Sequence, residues 1–339
     1  MPPQKFAGAN FPGPPAFTGS LVERVTLSAT LAALIVMLGG RWAIAQLSRV
    51  NFQQQIREEA PERHRGKAGT PTMGGLIILA AVVIAVGVAV RPLSTGVLLV
   101  LLVTLGYGTL GAADDFLAIR RRRNLGLRAR ERLAVQITLA ALIALYVMRR
   151  PELGSGVMIP FAGQIELGWF YFVFAILYIV GFSNAVNLTD GLDGLAGGTV
   201  AIAAGTYAAI ALRLGRPEMG GLAAAFAGAC VGFLWFNAHP AAIFMGDVGS
   251  NALGAGLAAL AIATKTELAL FVVGVVFIAE AASVLLQVAY FKSTGGRRLF
   301  RMSPLHHHFE LSGWPETQIV VRLWVVAALA ALVGMTIVF

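Results

Sequence analysis

Residues 73–115 read MGGLIILAAVVIAVGVAVRPLSTGVLLVLLVTLGYGTLGAADD. Two apolar runs, near 73–90 and 95–113, flank the turn-forming RPLST, and the second closes on paired aspartates. Each run approaches the roughly 20 residues that carry a helix across bilayer hydrocarbon. Lipid offers backbone N–H and C=O groups no partner, so a helix that satisfies its own backbone is the form such a run takes. Similar runs recur near 22–40, 132–148, 168–186, 197–213, 220–236, 250–264, 267–290 and 318–339. The expected fold is an all-α polytopic membrane protein with about ten transmembrane helices.

Composition agrees. The 339 residues are 57% hydrophobic and 13% charged, a balance that one soluble core cannot hide. The single cysteine, Cys230, lies in an apolar run, which excludes an intramolecular disulfide and leaves a small buried hydrophobe. A net charge of +9 raises nucleic acid as a partner, yet the basic residues cluster beside apolar runs, where they act as topology signals facing anionic lipid. The expected partner is therefore the lipid bilayer and not nucleic acid. Arg120, Arg121, Arg122 and Arg123, followed by Arg128, Arg130 and Arg132, mark their side as cytoplasmic by the positive-inside rule. With an even number of spans, that choice puts both termini on the outer side.

Residues 1–20, rich in Pro and Gly, read as a disordered N-terminal tail, and 21–339 as a single transmembrane catalytic domain. Arg41 and Arg49 follow the first run and no small-residue cleavage site appears, so that run is taken as an anchor, not a signal peptide. Between spans on the periplasmic side, residues 149–167 carry turn formers and short β-prone pieces that suit a small hairpin. Gly228 and Gly232 form a small-xxx-small spacing suited to close helix packing or a dimer contact.

Polar residues gather on the cytoplasmic side. Asp114-Asp115 follow the run VTLGYGTLGAA; adjacent carboxylates repel and favour a divalent cation or a basic partner. In NLTDGLDG, residues 187–194, Asp190 and Asp193 share a face on a helical turn, and Gly191 and Gly194 permit close ligand approach. The same residues also suit an ordinary helix cap. In WFNAHPAAIFMGDVGS, residues 235–250, Asp247 stands between glycines as a hard-cation ligand, and Phe244 offers a face to a nucleobase or to a neighbouring helix. His306, His307 and His308, in PLHHHFE, cannot all point one way, so one or two meet phosphate while another packs or bonds. No Cys or HExxH partner supports zinc. Lys67 and Thr72, in KAGTPTMGG, join a cation and hydroxyls to glycines, a combination that holds phosphate; Thr72 also suits a helix cap. Glu280, inside an apolar run, reads as an interhelical hydrogen bond or a water contact.

Taken in order, KAGTPTMGG, the Asp pair, NLTDGLDGLA, FNAHPAAIFMGDVGS and MSPLHHHFE resemble the phospho-N-acetylmuramoyl-pentapeptide transferases, within the polyprenyl-phosphate sugar-1-phosphate transferases. The likeness runs from about residue 40 to the end, and the histidine motif is its most discriminating part. It implies UDP-N-acetylmuramoyl-pentapeptide as donor, undecaprenyl phosphate as acceptor, lipid I and UMP as products, Mg²⁺ as cofactor and often a homodimer. Carried over by motif, Asp114 and Asp115 are the catalytic pair, Asp247 the Mg²⁺ ligand, and His306 and His307 the groups facing substrate phosphate. Lys67, Thr72, Asn187, Asp190, Asp193, Asn237 and His308 take the remaining substrate-binding positions, and Gly191, Leu192 and Phe244 the uridine pocket. The family's aspartate motif commonly reads DDxxK, and here Ala118 takes the lysine's place; Arg120 or Arg121 is the expected substitute in charge. Two other readings compete: a polyprenyl-phosphate N-acetylglucosamine-1-phosphate transferase, which the histidine run disfavours, and a secondary transporter, whose key charges belong near the membrane midplane.

Overall fold

The computed structural model describes residues 19–49, 69–121, 126–151, 153–160 and 162–338. Helices α1 (Gly19–Arg49), α2 (Gly75–Ala89), α3 (Thr95–Arg120) and α4 (Ala129–Met148) are followed by strands β1 (Gly156–Ile159) and β2 (Gly163–Glu166). Then come α5 (Phe170–Thr189), α6 (Leu195–Arg213), α7 (Pro217–Asn237), α8 (Gly246–Thr264), α9 (Glu267–Val273), α10 (Val275–Ser293), α11 (Leu305–Leu311) and α12 (Glu316–Val338). Among the described residues, eight helices are long and apolar enough to cross a membrane: α1, α3, α4, α5, α6, α7, α10 and α12. The apolar α2 has 15 residues. Helix α8 has 19, but its first turns hold Asp247, Ser250 and Asn251. Every apolar run read from the sequence falls on helical residues, and all but the run over 267–290 on a single helix.

Local chemistry sets the boundaries. The Ser94 side chain accepts the Val97 N–H at the start of α3. Glu131 reaches back to the Arg128 N–H to open α4. Pro217 occupies the first position of α7, where its missing N–H has no intrahelical partner to lose. The run expected as one span over 267–290 is two helices, because Gly274 leaves helical geometry (φ −92°, ψ 20°) between α9 and α10. The aspartate pair lies within α3, which continues to Arg120, and not beyond its end. Helix α1 extends the first span to Arg49. Of the expected N-terminal tail, residues 1–18 lie outside the described residues, as does Lys67.

Helix α8 is the axis of the molecule, with every residue from Val248 to Thr264 buried. Small residues let its neighbours close on it. Gly75 of α2 faces the Gly249 backbone, Gly111 of α3 faces the Asp247 carbonyl, and Gly254 of α8 faces Phe182 of α5. A methyl group at any of these contacts would enter backbone atoms of the partner. Gly228 and Gly232 of α7 face the backbone of Ala29 and Ala33 of α1, so their spacing serves packing within the chain. Outer helices leave Leu38, Leu142, Leu285 and Leu329 exposed, the apolar exterior that lipid requires.

The expected hairpin is present: β1 and β2 pair antiparallel, Gly156 opposite Glu166 and Ile159 opposite Gly163. Lys265, just past α8, anchors it through bonds from Nζ to the carbonyls of Gly154 and Gly156 at 3.2 and 3.0 Å. Since α8 begins at Gly246 and ends at Thr264, the hairpin sits at the end of α8 opposite Asp247.

Candidate active site

The polar clusters converge around the start of α8. Residues 71–75 run beside 244–245: Phe244 N–H donates to the Pro71 carbonyl, Gly74 N–H to the Phe244 carbonyl, and Gly75 N–H to the Met245 carbonyl, at 2.8 to 2.9 Å. This pairing brings buried Thr72 against Gly246, whose φ of +75° admits the turn into α8. From α3, the Asp115 carboxylate accepts the N–H groups of Asp247 and Val248 at 3.2 and 3.1 Å. A helix N-terminus presents unpaired N–H groups and partial positive charge, so a carboxylate from another helix caps α8 there.

The two neighbouring aspartates are thus divided. Asp115 is engaged by α8. Asp114 accepts the Leu127 N–H through Oδ1 at 2.8 Å and turns Oδ2 toward Arg132 Nη1 at 3.8 Å. Arg132, in the first turn of α4, bonds Asp247 Oδ2 at 2.5 Å. Among the described residues, Arg132 is thus a cation that meets both Asp114 and Asp247, 14 positions beyond Ala118. Arg121, one of the expected substitutes, donates to the Gly126 carbonyl instead. Sequence reading counted Arg132 only as a topology charge; its spacing from Asp114 and Asp115 carries no signal until α3 and α4 are laid side by side.

Asn187 completes the cluster, with Nδ2 donating to Asp247 Oδ1 at 2.7 Å and to Ser250 Oγ at 2.9 Å. Below it, amides hand hydrogen bonds on: Arg132 to Asn184, Asn184 to Gln136, Gln136 to Asn251, and Asn251 to the Asp247 carbonyl. The circuit starts and ends at the Arg132–Asp247 pair.

The turn after α5 forms the adjoining wall. Withdrawal from water, reinforced by the charges of Asp247 and Asp193 and opposed by a bond from the Gly246 N–H, pushes the Asp190 carboxyl up to about 7. Asp193 Oδ2 lies 2.9 Å from His239 Nδ1 and accepts the Ala241 N–H at 3.1 Å, while its own N–H donates to Glu316 at 2.8 Å. Asn237 ties this turn to the loop before α8, accepting the Gly194 N–H at 3.1 Å and donating to the Ile243 carbonyl at 2.8 Å. Leu192 packs its side chain with Leu195, Ile319 and Val320, which leaves its backbone on the turn. Phe244, three residues before Asp247, is half-buried.

The three histidines lie in α11, whose helical step turns them in different directions. His306 is buried against Gly191 and Glu280. His307 Nδ1 lies 2.7 Å from Glu310. His308 Nδ1 accepts the Arg301 N–H at 3.2 Å, and its ring meets Phe300 edge to face. Asp114, Asp115, Asn187, Asp190, Asp193, Asn237, Phe244, Asp247 and the histidine helix therefore share one end of the bundle. The transporter reading, which needs charges near mid-membrane, loses its support.

The Glycosyl transferase family 4 model matches residues 97–265. The phospho-N-acetylmuramoyl-pentapeptide-transferase signature 1 matches residues 67–79. A phospho-N-acetylmuramoyl-pentapeptide-transferase of Geobacillus kaustophilus is 48% identical over 320 residues, covering 93% of this chain and 98% of the relative. The chain belongs to this transferase family. Proteins of the same name from Desulfitobacterium hafniense and Halalkalibacterium halodurans are each 47% identical, covering 92% and 93% of this chain and 97% and 98% of their own lengths. In this transferase, the matched signature spans the strip that pairs with residues 244–245 beneath Asp247.

Proposed function

We propose that this chain transfers phospho-N-acetylmuramoyl-pentapeptide from UDP-N-acetylmuramoyl-pentapeptide to undecaprenyl phosphate, releasing UMP and forming lipid I for peptidoglycan. The observation that carries this reading is the Asp114–Arg132–Asp247 cluster, joined on one side to the Asp190–Asp193 turn and on the other to the capped start of α8. Family membership supplies the identity of the substrates.

The reading includes ten membrane crossings, with α2, α8 and the broken α9–α10 pair counted as spans, both termini in the periplasm, and the site on the cytoplasmic face of the inner membrane. Arginines beside Asp114, at Arg120 and Arg121, support that orientation. A homodimer is part of the same reading on family resemblance.

Mg²⁺ fits the donor set. Asp247, Asp114 and Asn187 offer hard oxygens, and the Arg132 guanidinium placed between two carboxylates supports a site suited to positive charge. Asp247 would be the principal ligand, and the ion would neutralise donor diphosphate charge when bound. The reaction exchanges one phosphoanhydride for another, so it needs no ATP and is near balance.

Catalysis by this chain is then alignment and charge stabilisation. The acceptor phosphate oxygen attacks the sugar-bearing phosphorus and UMP departs. A phosphate monoester has its second pKa near about 6 and is largely ionised at neutral pH, so a base is helpful but not obligatory. Asp114 is the member of the pair with an oxygen turned to the site, and it receives any remaining acceptor proton. Asp115 holds α8, and through it Asp247. A phospho-Asp intermediate would have to form on Asp114, and direct displacement is the route proposed. Arg132 steadies phosphate oxygens in the place of the usual lysine, and the Asp190–Asp193 turn with Phe244 receives the uridine.

The test is incubation of purified protein in detergent with both substrates and Mg²⁺, measuring UMP and the lipid product. Wild-type protein should form both, and Asp247→Ala should lose at least about 100-fold in turnover while keeping its fold. Transfer from UDP-N-acetylglucosamine in preference to the muramoyl-pentapeptide donor would overturn the substrate assignment.

A further inference from the structure

Glu280 lies inside α10 and His306 at the start of α11, and both side chains are buried. One carboxylate oxygen, Oε2, accepts the His306 backbone N–H at 3.2 Å and lies 3.1 Å from the ring Nδ1. A carboxylate that receives two bonds from one residue fixes both the first turn of α11 and the plane of the ring. Oε2 already accepts the His306 N–H, so the arrangement in which it accepts both contacts puts the shared hydrogen on Nδ1. The other nitrogen, Nε2, is buried and has no hydrogen-bond partner among the described residues. It points at Gly191, where a Cβ would overlap it. Only a glycine fits against the nitrogen here, with no side chain between it and the turn that carries Asp190 and Asp193.

We propose that Glu280 is a positioning residue for the transfer reaction: it holds His306 with Nδ1–H fixed and Nε2 aimed through the Gly191 gap at a phosphate oxygen of the substrate. The inference rests on the reading above, in which a diphosphate donor binds over the Asp190–Asp193 turn. It gives a purpose to an ionisable side chain placed where lipid and apolar neighbours make it costly, and to the one ring nitrogen of His306 that the fold leaves unused. Glu280 touches no substrate and acts through His306 alone.

A double-mutant cycle in the UMP-release assay tests this. Glu280→Ala should lower kcat by about 10- to 100-fold, in the manner of other groups that orient a functional histidine, with the donor KM unchanged within about threefold. Glu280→Gln, whose side-chain oxygen still accepts from Nδ1, should keep kcat within about fivefold of wild type. In a His306→Ala background, Glu280→Ala should cost nothing further. Spectra of ¹⁵N-histidine-labelled protein, with His306 assigned by its loss in His306→Ala, should show the Nδ1–H form in wild type and in Glu280→Gln and a changed ratio in Glu280→Ala. Losses that multiply in the double variant would overturn the proposal, as would a wild-type ring without the Nδ1–H form. If Glu280→Ala does not fold, Glu280→Gln decides: full turnover with the Nδ1–H signature lost would overturn the proposal, and both retained would support it. Wild-type protein that releases no UMP would instead defeat the functional reading, and the spectra would still judge the Glu280–His306 contact.

Discussion

Asp115 caps the helix that begins at Asp247: its two carboxylate oxygens take the Asp247 and Val248 N–H groups at 3.2 and 3.1 Å. The sequence neighbour Asp114 faces Arg132 instead. Asp114→Asn and Asp115→Asn should therefore fail differently. Asp114→Asn should keep its melting temperature and lose turnover. Asp115→Asn places one amide NH₂ against an N–H donor, so it should lose about 1–2 kcal/mol of local stability as well as turnover. Thermal melts beside UMP release would separate the two, and equal melting temperatures for both variants would refute the division.

Arg132 sets its guanidinium against two carboxylates, Asp114 and Asp247. Arg132→Met removes that charge and leaves Asp114 and Asp247 to repel. Its melting temperature in EDTA should fall below wild type, and millimolar Mg²⁺ should recover more stability in the variant than in wild type. A variant indifferent to Mg²⁺ would contradict this placement of the cation.

The Asp190 carboxyl, held up at about 7 against an ordinary value of 3.8, sets a pH dependence. Between those values the folded protein keeps a proton that the unfolded chain has released. This stabilising contribution is full below about pH 4 and is lost as pH rises through about 7. Melting temperature in EDTA should thus decline from about pH 5 to about pH 8, less steeply in Asp190→Asn. A slope unchanged by the substitution would rule out Asp190 as its source.

Gly111 meets the carbonyl of Asp247 across the α3–α8 contact. Gly111→Ala should push the helices apart at the site's foundation, costing about 1–3 kcal/mol and most of the activity. Gly205→Ala, on α6 with open space around it, is the control and should behave as wild type.

Much of this architecture was legible in the sequence because lipid imposes a simple rule of length and hydropathy. The run at 73–90 and the hairpin-forming segment at 149–167 gave their elements directly. The break at Gly274 was not legible, since a glycine within an apolar run is ordinary in membrane helices. Asp114 and Asp247 were found by charge at span ends. Arg132 was missed as a site residue because a basic side chain beside a span has a sufficient explanation in topology, and only the packing of α4 on α3 and α5 aims it inward. His306 was named from its motif, but its partner Glu280 lies 26 positions earlier, on a helix whose pattern gives no hint of the pairing.

The relay beneath Asp247 has a sense of travel. It departs from a guanidinium, which can only give hydrogens, and arrives at a peptide oxygen, which can only receive them. Each amide between them is consequently locked in one of its two flips, and no member can reverse without stranding a neighbour. Gln136→Glu, deep in the bundle and almost isosteric, would remove one of the donors to the Asn251 side-chain oxygen and leave Ser183 to hold it. A lesion there should be felt at the Arg132–Asp247 pair as though it had been made in that pair itself.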